Sequence, residues 1–125
     1  MALLTLTGTT KKGSGDFTRR MTEYPDVFRN AFGHDLYTKG TLNVKVANNI
    51  CIKEHFRILG RDLNEPEDFL IEICRANGIW AYRIRPYHPE TAQGGHSDSE
   101  IELVSKDKIP DVEAYGSKVI IEFLR

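Results

Sequence analysis

The chain is short of several things, and each shortage excludes a class of protein. Net charge is almost absent: 17 basic and 18 acidic residues leave −1 at neutral pH. No global field therefore draws the chain to nucleic acid or to an anionic membrane, and neither is expected as a partner. Any anion it binds must be held by a local cluster. Only two cysteines occur, Cys51 and Cys74, each in an apolar run. They read as two reduced core thiols, not a disulfide or a redox pair. No apolar stretch approaches the ~20 residues that span a bilayer. The opening Met1-Ala2-Leu3-Leu4-Thr5-Leu6-Thr7 has no basic leader. It reads as a first strand and not a signal peptide, so a cytoplasmic setting is expected. Internal repeats, low-complexity linkers, a Walker-type loop and a nucleophile–base pair are all missing.

What is present is ordinary soluble composition, with 40% hydrophobic and 28% charged residues over 125 positions. That length fits one domain with a single core that needs no staples. Leu3 to Thr10 reads as a strand opening into a loop, Lys11–Phe17. Tyr24-Pro25-Asp26 starts a helix, with proline and aspartate where a first turn favours them. Val27, Phe28, Ala31 and Phe32 give that helix an apolar stripe, and Gly33 is placed to end it.

From Gly40 onward the period is two. Leu42, Val44 and Val46 alternate with Thr41, Asn43 and Lys45. Phe69–Ala76 and Ile79–Arg85 flank Asn77-Gly78, a strong two-residue hairpin signal. Ile101–Ser105 and Lys118–Leu124 are further strands. At least six short strands with one or two short helices predict a mainly β fold, a small six-stranded barrel that is closed or nearly so. A Greek-key sandwich is the alternative. Glu54–Glu67 and Arg85–Ser99 fit no regular element, and loops of that length tend to be functional or disordered.

Two segments carry candidate chemistry. In Lys11-Lys12-Gly13-Ser14-Gly15-Asp16-Phe17, the glycines let backbone amides turn toward an anion, while Lys11, Lys12, Arg19 and Arg20 supply charge. A charged hairpin tip would look similar. In Gly40-Thr41-Leu42-Asn43-Val44, burial of Leu42 and Val44 would turn Thr41 and Asn43 to the other face together. Their neutral oxygens suit Mg²⁺ once a polyphosphate supplies negative charge. An ordinary wet strand face has the same pattern. His88, Glu90 and His96 match no closed zinc spacing and read as a solvated loop. Trp80 and Tyr82 share a strand face and read as packing residues, although either could stack on a ring.

Taken in order, the glycine loop after the first strand, the short amphipathic helix and the Gly-Thr-Leu-Asn-Val strand resemble the CTP-dependent riboflavin kinases of archaea. The downstream His96-Ser97-Asp98-Ser99-Glu100-Ile101-Glu102-Leu103-Val104 is similar to that family's His-Ser-rich segment and acidic-apolar strand. The resemblance runs from about Leu4 to Phe123. It implies a cradle-loop barrel that phosphorylates riboflavin to FMN with CTP and Mg²⁺. It also implies Thr41 and Asn43 as metal ligands, and Lys12, Gly13, Ser14, Gly15, Asp16 and Phe17 as nucleotide-binding. Asp107, Lys108, Ile109 and Pro110 fall on a second nucleotide stretch, and Gly94 and Glu102 on flavin-contacting positions. No catalytic base is marked; Glu102 and Asp16 are the candidates.

The chain departs from the family pattern at Lys11, where the loop usually has another glycine, and at Gly94, where a threonine is usual. Ala92-Gln93 replaces a basic pair, and Lys106 stands where a proline is usual. The phosphate and metal half is thus better kept than the flavin half. A non-catalytic flavin- or nucleotide-binding barrel, or a kinase for another small alcohol, remains alongside the riboflavin kinase reading.

Overall fold

The computed structural model describes residues 3–13, 15–37, 41–90 and 99–125. The strands are β1 (Leu3–Lys11), β2 (Leu42–Val46), β3 (Phe56–Ile58), β4 (Asp68–Ala76), β5 (Ile79–Tyr87), β6 (Glu100–Val104) and β7 (Lys118–Leu124). Helices α1 (Asp16–Glu23) and α2 (Pro25–Phe32) lie between β1 and β2. All pairings are antiparallel, and the order β4-β5-β6-β2-β1-β7 closes where β7 returns to β4. The result is the expected six-stranded barrel, not a sandwich. Closure gives each of these six strands a ring neighbour on both sides, although β7 meets β4 only over Cys74–Ala76. β3 and β7 share one side of β4, β3 on Phe69–Ile71 and β7 on Cys74–Ala76.

Alternation decides which residues enter the barrel. Val44, Ile101, Leu103, Val119, Ile121 and Phe123 point inward with Cys74, Ala76 and Ala81, and all are buried. A second core lies outside the wall. There Phe17 and Met21 of α1 and Phe28 and Phe32 of α2 cover Phe69, Ile71, Ile84 and Val104. Phe17 meets Phe28 and Phe69 edge-on, with centroids 5.2 and 5.4 Å away. Each such side chain contributes roughly 1.5–3 kcal/mol on burial. The Asn77-Gly78 turn has positive φ at both positions (46° and 86°), the geometry of a two-residue hairpin.

One end of the barrel interior is polar. Glu72 and Arg83, paired across β4 and β5, are 0% and 1% exposed. Glu72 accepts hydrogen bonds from Arg125 (2.9 and 3.1 Å) and from the Lys53 amide (3.0 Å). Arg83 Nη2 donates to the Ile50 carbonyl (2.6 Å) and Arg125 Nη2 to that of Cys51 (2.7 Å). The segment between β2 and β3 is thereby pinned across this end.

Four expectations change. The loop expected through Phe17 ends earlier: Gly15 takes φ 81° at the N-cap and α1 begins at Asp16. The unassigned Glu54–Glu67 holds β3 and a 3₁₀ turn, Gly60–Leu63, fixed by Asp68 accepting from the Gly60 amide (2.8 Å) and from Arg57 (3.1 Å). Cys51 is exposed and only Cys74 is a core thiol, because Cys51 lies in the closing segment and not on a wall strand. Tyr82 packs as expected, against Phe32 (4.6 Å), whereas Trp80 is 58% exposed because the helices do not reach it.

Candidate functional site

Three outward-facing positions line up across neighbouring strands. Register pairs Lys11 of β1 with Asn43 of β2, and Asn43 with Glu102 of β6. A basic group, an amide and a carboxylate therefore stand in one row on the wall. Thr41, at the entrance to β2, adds a hydroxyl that donates to Glu102 Oε2 (2.6 Å). Glu102 is buried at 8% exposure, so this charge-assisted bond is largely shielded from water. Lys11 turns one residue pair away, to Glu100 (2.8 Å).

The glycine loop and the strand, read separately from the sequence, meet here. A Cβ on Gly13 would lie 2.0 Å from Asn43 Nδ2, so the loop backbone rests directly on that amide. Only glycine permits the approach. Beyond the loop, Thr18 of α1 accepts a hydrogen bond from the Thr41 amide (3.2 Å). A chain of contacts thus ties α1 to β2 and β2 to β6 through Thr18, Thr41 and Glu102. Thr18 was not among the sequence candidates. Its place one turn before Thr22 on a polar helix face gave no signal, and only the fold brings it to β2.

A cavity of about 320 Å³ opens beside Thr41. Leu42, Leu103, Ile109 and Val112 form its apolar lining, and Thr41, Ser105, Lys108 and Tyr115 are among its polar residues. Small-ligand sites have this character, apolar walls with a few convergent polar groups. Lys108 also pairs with Glu113 (3.4 Å).

The remaining candidates divide. Lys12 and Asp16 are exposed, Asp16 in the first turn of α1. The Phe17 side chain is 2% exposed inside the helix layer, leaving only its backbone to face a ligand. Of the second stretch, Lys108 and Ile109 reach the cavity. Asp107 instead borders an open groove with His34, Trp80 and Tyr82. The Pro110 carbonyl accepts from Asn77 Nδ2 (2.9 Å) at the hairpin. Ser14, Gly94 and His96 lie outside the described residues, and among the described residues no cluster of three or more His, Cys, Asp or Glu could hold a metal.

The donor set fits a hard cation that arrives with its own anion. Thr41 spends its proton on Glu102, which leaves hydroxyl lone pairs for a metal and makes that oxygen a better donor. Asn43 stands on the same face, fixed by the loop. A triphosphate could complete the shell with its oxygens, and Lys12 and the glycine amides lie on the same loop.

Fold and site define a small closed antiparallel barrel with a polar site on its β2–β6 wall. In comparisons with known proteins, the chain matches no family model and no curated protein. Among the described residues, no helix is long and apolar enough to cross a membrane.

Proposed function

We propose that this barrel is a nucleotide-dependent phosphotransferase of the CTP-dependent riboflavin kinase type, moving the γ-phosphate of CTP to riboflavin with Mg²⁺ to give FMN. The observation that carries the reading is the contact of Gly13 on Asn43 beside the Thr41–Glu102 bond. It unites a phosphate-type loop and a pair of neutral oxygen ligands, one of which, Thr41, also lines a ligand-sized cavity. A cytoplasmic setting goes with this reading.

Phosphoryl transfer asks a protein mainly for positioning and charge neutralisation. Mg²⁺, when bound, would neutralise and align the triphosphate. Thr41 and Asn43 would hold it, with Glu102 fixing the direction of the Thr41 lone pairs. Glycine amides of the loop after β1 and the Lys12 ammonium stabilise charge that develops on the transferred group. Lys108 and Ile109 meet the nucleotide in the cavity. Of the two candidate carboxylates, Glu102 sits against Thr41, whereas Asp16 is exposed on α1. Glu102 is therefore the better placed to orient or deprotonate the acceptor hydroxyl.

The test is incubation of pure protein with riboflavin, CTP and Mg²⁺, followed by chromatography for FMN. Absence of FMN with CTP, ATP and GTP alike refutes riboflavin kinase activity. Calorimetric binding of flavin or nucleotide without turnover would point to the non-catalytic barrel, the reading that Gly94 favours. Turnover of a different alcohol would keep the transferase and replace the acceptor. Thr41→Ala and Asn43→Ala are each expected to abolish activity and to weaken Mg²⁺-dependent nucleotide binding.

A further inference from the structure

The outer wall is covered unevenly. The helices shield β4 near Phe69 and Ile71 and β5 near Ile84, and the candidate site occupies β2 and β6. The remaining face, formed by β1, β7, the end of β4 and the start of β5, carries five of the six exposed large hydrophobic side chains among the described residues. They are Leu3 (52% exposed), Ile73 (37%), Trp80 (58%), Ile120 (41%) and Leu124 (41%). Strand register makes them one patch. Leu3 pairs with Leu124, Thr7 with Ile120, and Trp80 with Arg75. Scattered single apolar residues need no explanation, but five gathered on one face around a charged pair mark an interaction site.

The centre of the patch says which partner fits. Arg75 and Glu122 face each other across β4 and β7, with Nη2 to Oε2 at 3.4 Å and Thr5 beside them on β1. This is a small dipole, one cation and one anion side by side, ringed by apolar side chains. A surface with that arrangement complements its own copy turned through 180°. Each Arg75 then meets the Glu122 of the other copy, and the apolar rows lie against each other. Aromatic residues and arginine are the types enriched at the centres of interfaces, and two-fold contacts use one patch twice.

We propose that this chain forms an isologous dimer through the β1–β7–β4–β5 face, centred on Arg75 and Glu122. The candidate site centres on β2 and β6, the two wall strands that this face leaves out. Pairing through this face does not depend on phosphoryl transfer.

The experiment is sedimentation equilibrium of the full chain at concentrations from about 1 to 200 µM. The expected mass rises from 14.2 kDa to twice that. Trp80 is the only tryptophan, so its emission should move to shorter wavelength over the same range. Trp80→Lys is expected to hold the chain monomeric with unchanged far-UV circular dichroism. The decisive arms are the charge reversals Arg75→Glu and Glu122→Arg. Each alone should weaken self-association at least tenfold, because like charges then meet across the axis. An equimolar mixture of the two variants should regain it, since every facing pair is again opposite in sign. A monomer at the highest concentration overturns the proposal. So does self-association that either reversal leaves intact, or a mixture that fails to recover.

Discussion

Gly13→Ala probes the contact on which the functional reading rests. The added methyl would sit 2.0 Å from Asn43 Nδ2, 2.6 Å from its Cγ and 2.9 Å from Oδ1, where ordinary contact begins near 3.4 Å. The amide must withdraw by roughly 1.4 Å at its closest atom, and an Asn side chain has only two torsions with which to do so. The Asn43 backbone cannot follow, because register holds it between Lys11 and Glu102. The strain costs about 1–3 kcal/mol if the amide stays, and the ligand position is lost if it swings away. Misplacing a binding group by about 1 Å reduces turnover on the order of 100-fold. Urea unfolding should therefore show at most that modest loss, while Mg²⁺-dependent nucleotide binding, read by calorimetry, falls by tenfold or more. The control is Gly13→Ala in an Asn43→Ala background, where the methyl meets no amide. Contacting residues couple by about 0.5–3 kcal/mol, so the second substitution should cost clearly less there. Equal costs in both backgrounds, or unchanged Mg²⁺-dependent binding in the single variant, would refute the reasoning.

Glu72→Ala leaves Arg125 and the Lys53 amide without their buried acceptor, and equilibrium unfolding should lose about 3–5 kcal/mol, with Glu72→Gln losing less. Gly60→Ala drives a methyl to 2.2 Å from the Glu67 carbonyl oxygen and 2.5 Å from that of Glu65. Both are backbone atoms, and Gly60 is itself fixed by its bonds to Asp68 and to the Glu65 amide, so denaturant titration should show a loss of about 2 kcal/mol or more. Burial pushes the Cys74 thiol up to about 12, leaving it protonated at pH 8, whereas Cys51 is exposed. A chromogenic disulfide at that pH should titrate one thiol in the native protein and two in denaturant, and Cys51→Ser should leave the native chain inert. Arg57 hydrogen-bonds Glu54 and lowers its carboxyl below the usual range. That contribution is present above the unfolded-state value and lost as pH falls through the lowered one. Glu54→Gln should accordingly flatten the acid limb of the stability profile.

The barrel was legible because its signals are local. Alternation marks wall strands such as β2 and β7, and Asn77-Gly78 fixes the central hairpin through two positive φ angles. What stayed hidden depends on distant partners. β3 spans three residues and is a strand only because β4 offers an edge, and the 3₁₀ turn depends on Asp68 reaching back to Gly60. β4 carries apolar residues on both faces, Phe69 and Ile71 outward and Cys74 and Ala76 inward, since it serves two cores. No alternation could reveal that Glu72 points into the barrel. α1 shows only Phe17 and Met21 at helical spacing among polar residues, too sparse a stripe to distinguish it from the loop before it. In the candidate site, the shared face of Thr41 and Asn43 was legible from spacing, whereas Thr18 and the bond to Glu102 exist only once three elements converge.

The closing strand sets the order in which the chain can mature. β7 supplies the second neighbour of both β1 and β4, and its register joins Leu3 to Leu124. During synthesis, the β4–β5 hairpin and the two helices can gather while β1 waits with one side unmatched. Contacts this far apart in sequence slow folding. A nascent chain halted before Lys118 would therefore display the apolar lining of β1 to solvent, and demand for chaperones should peak in that interval and drop as β7 leaves the ribosome.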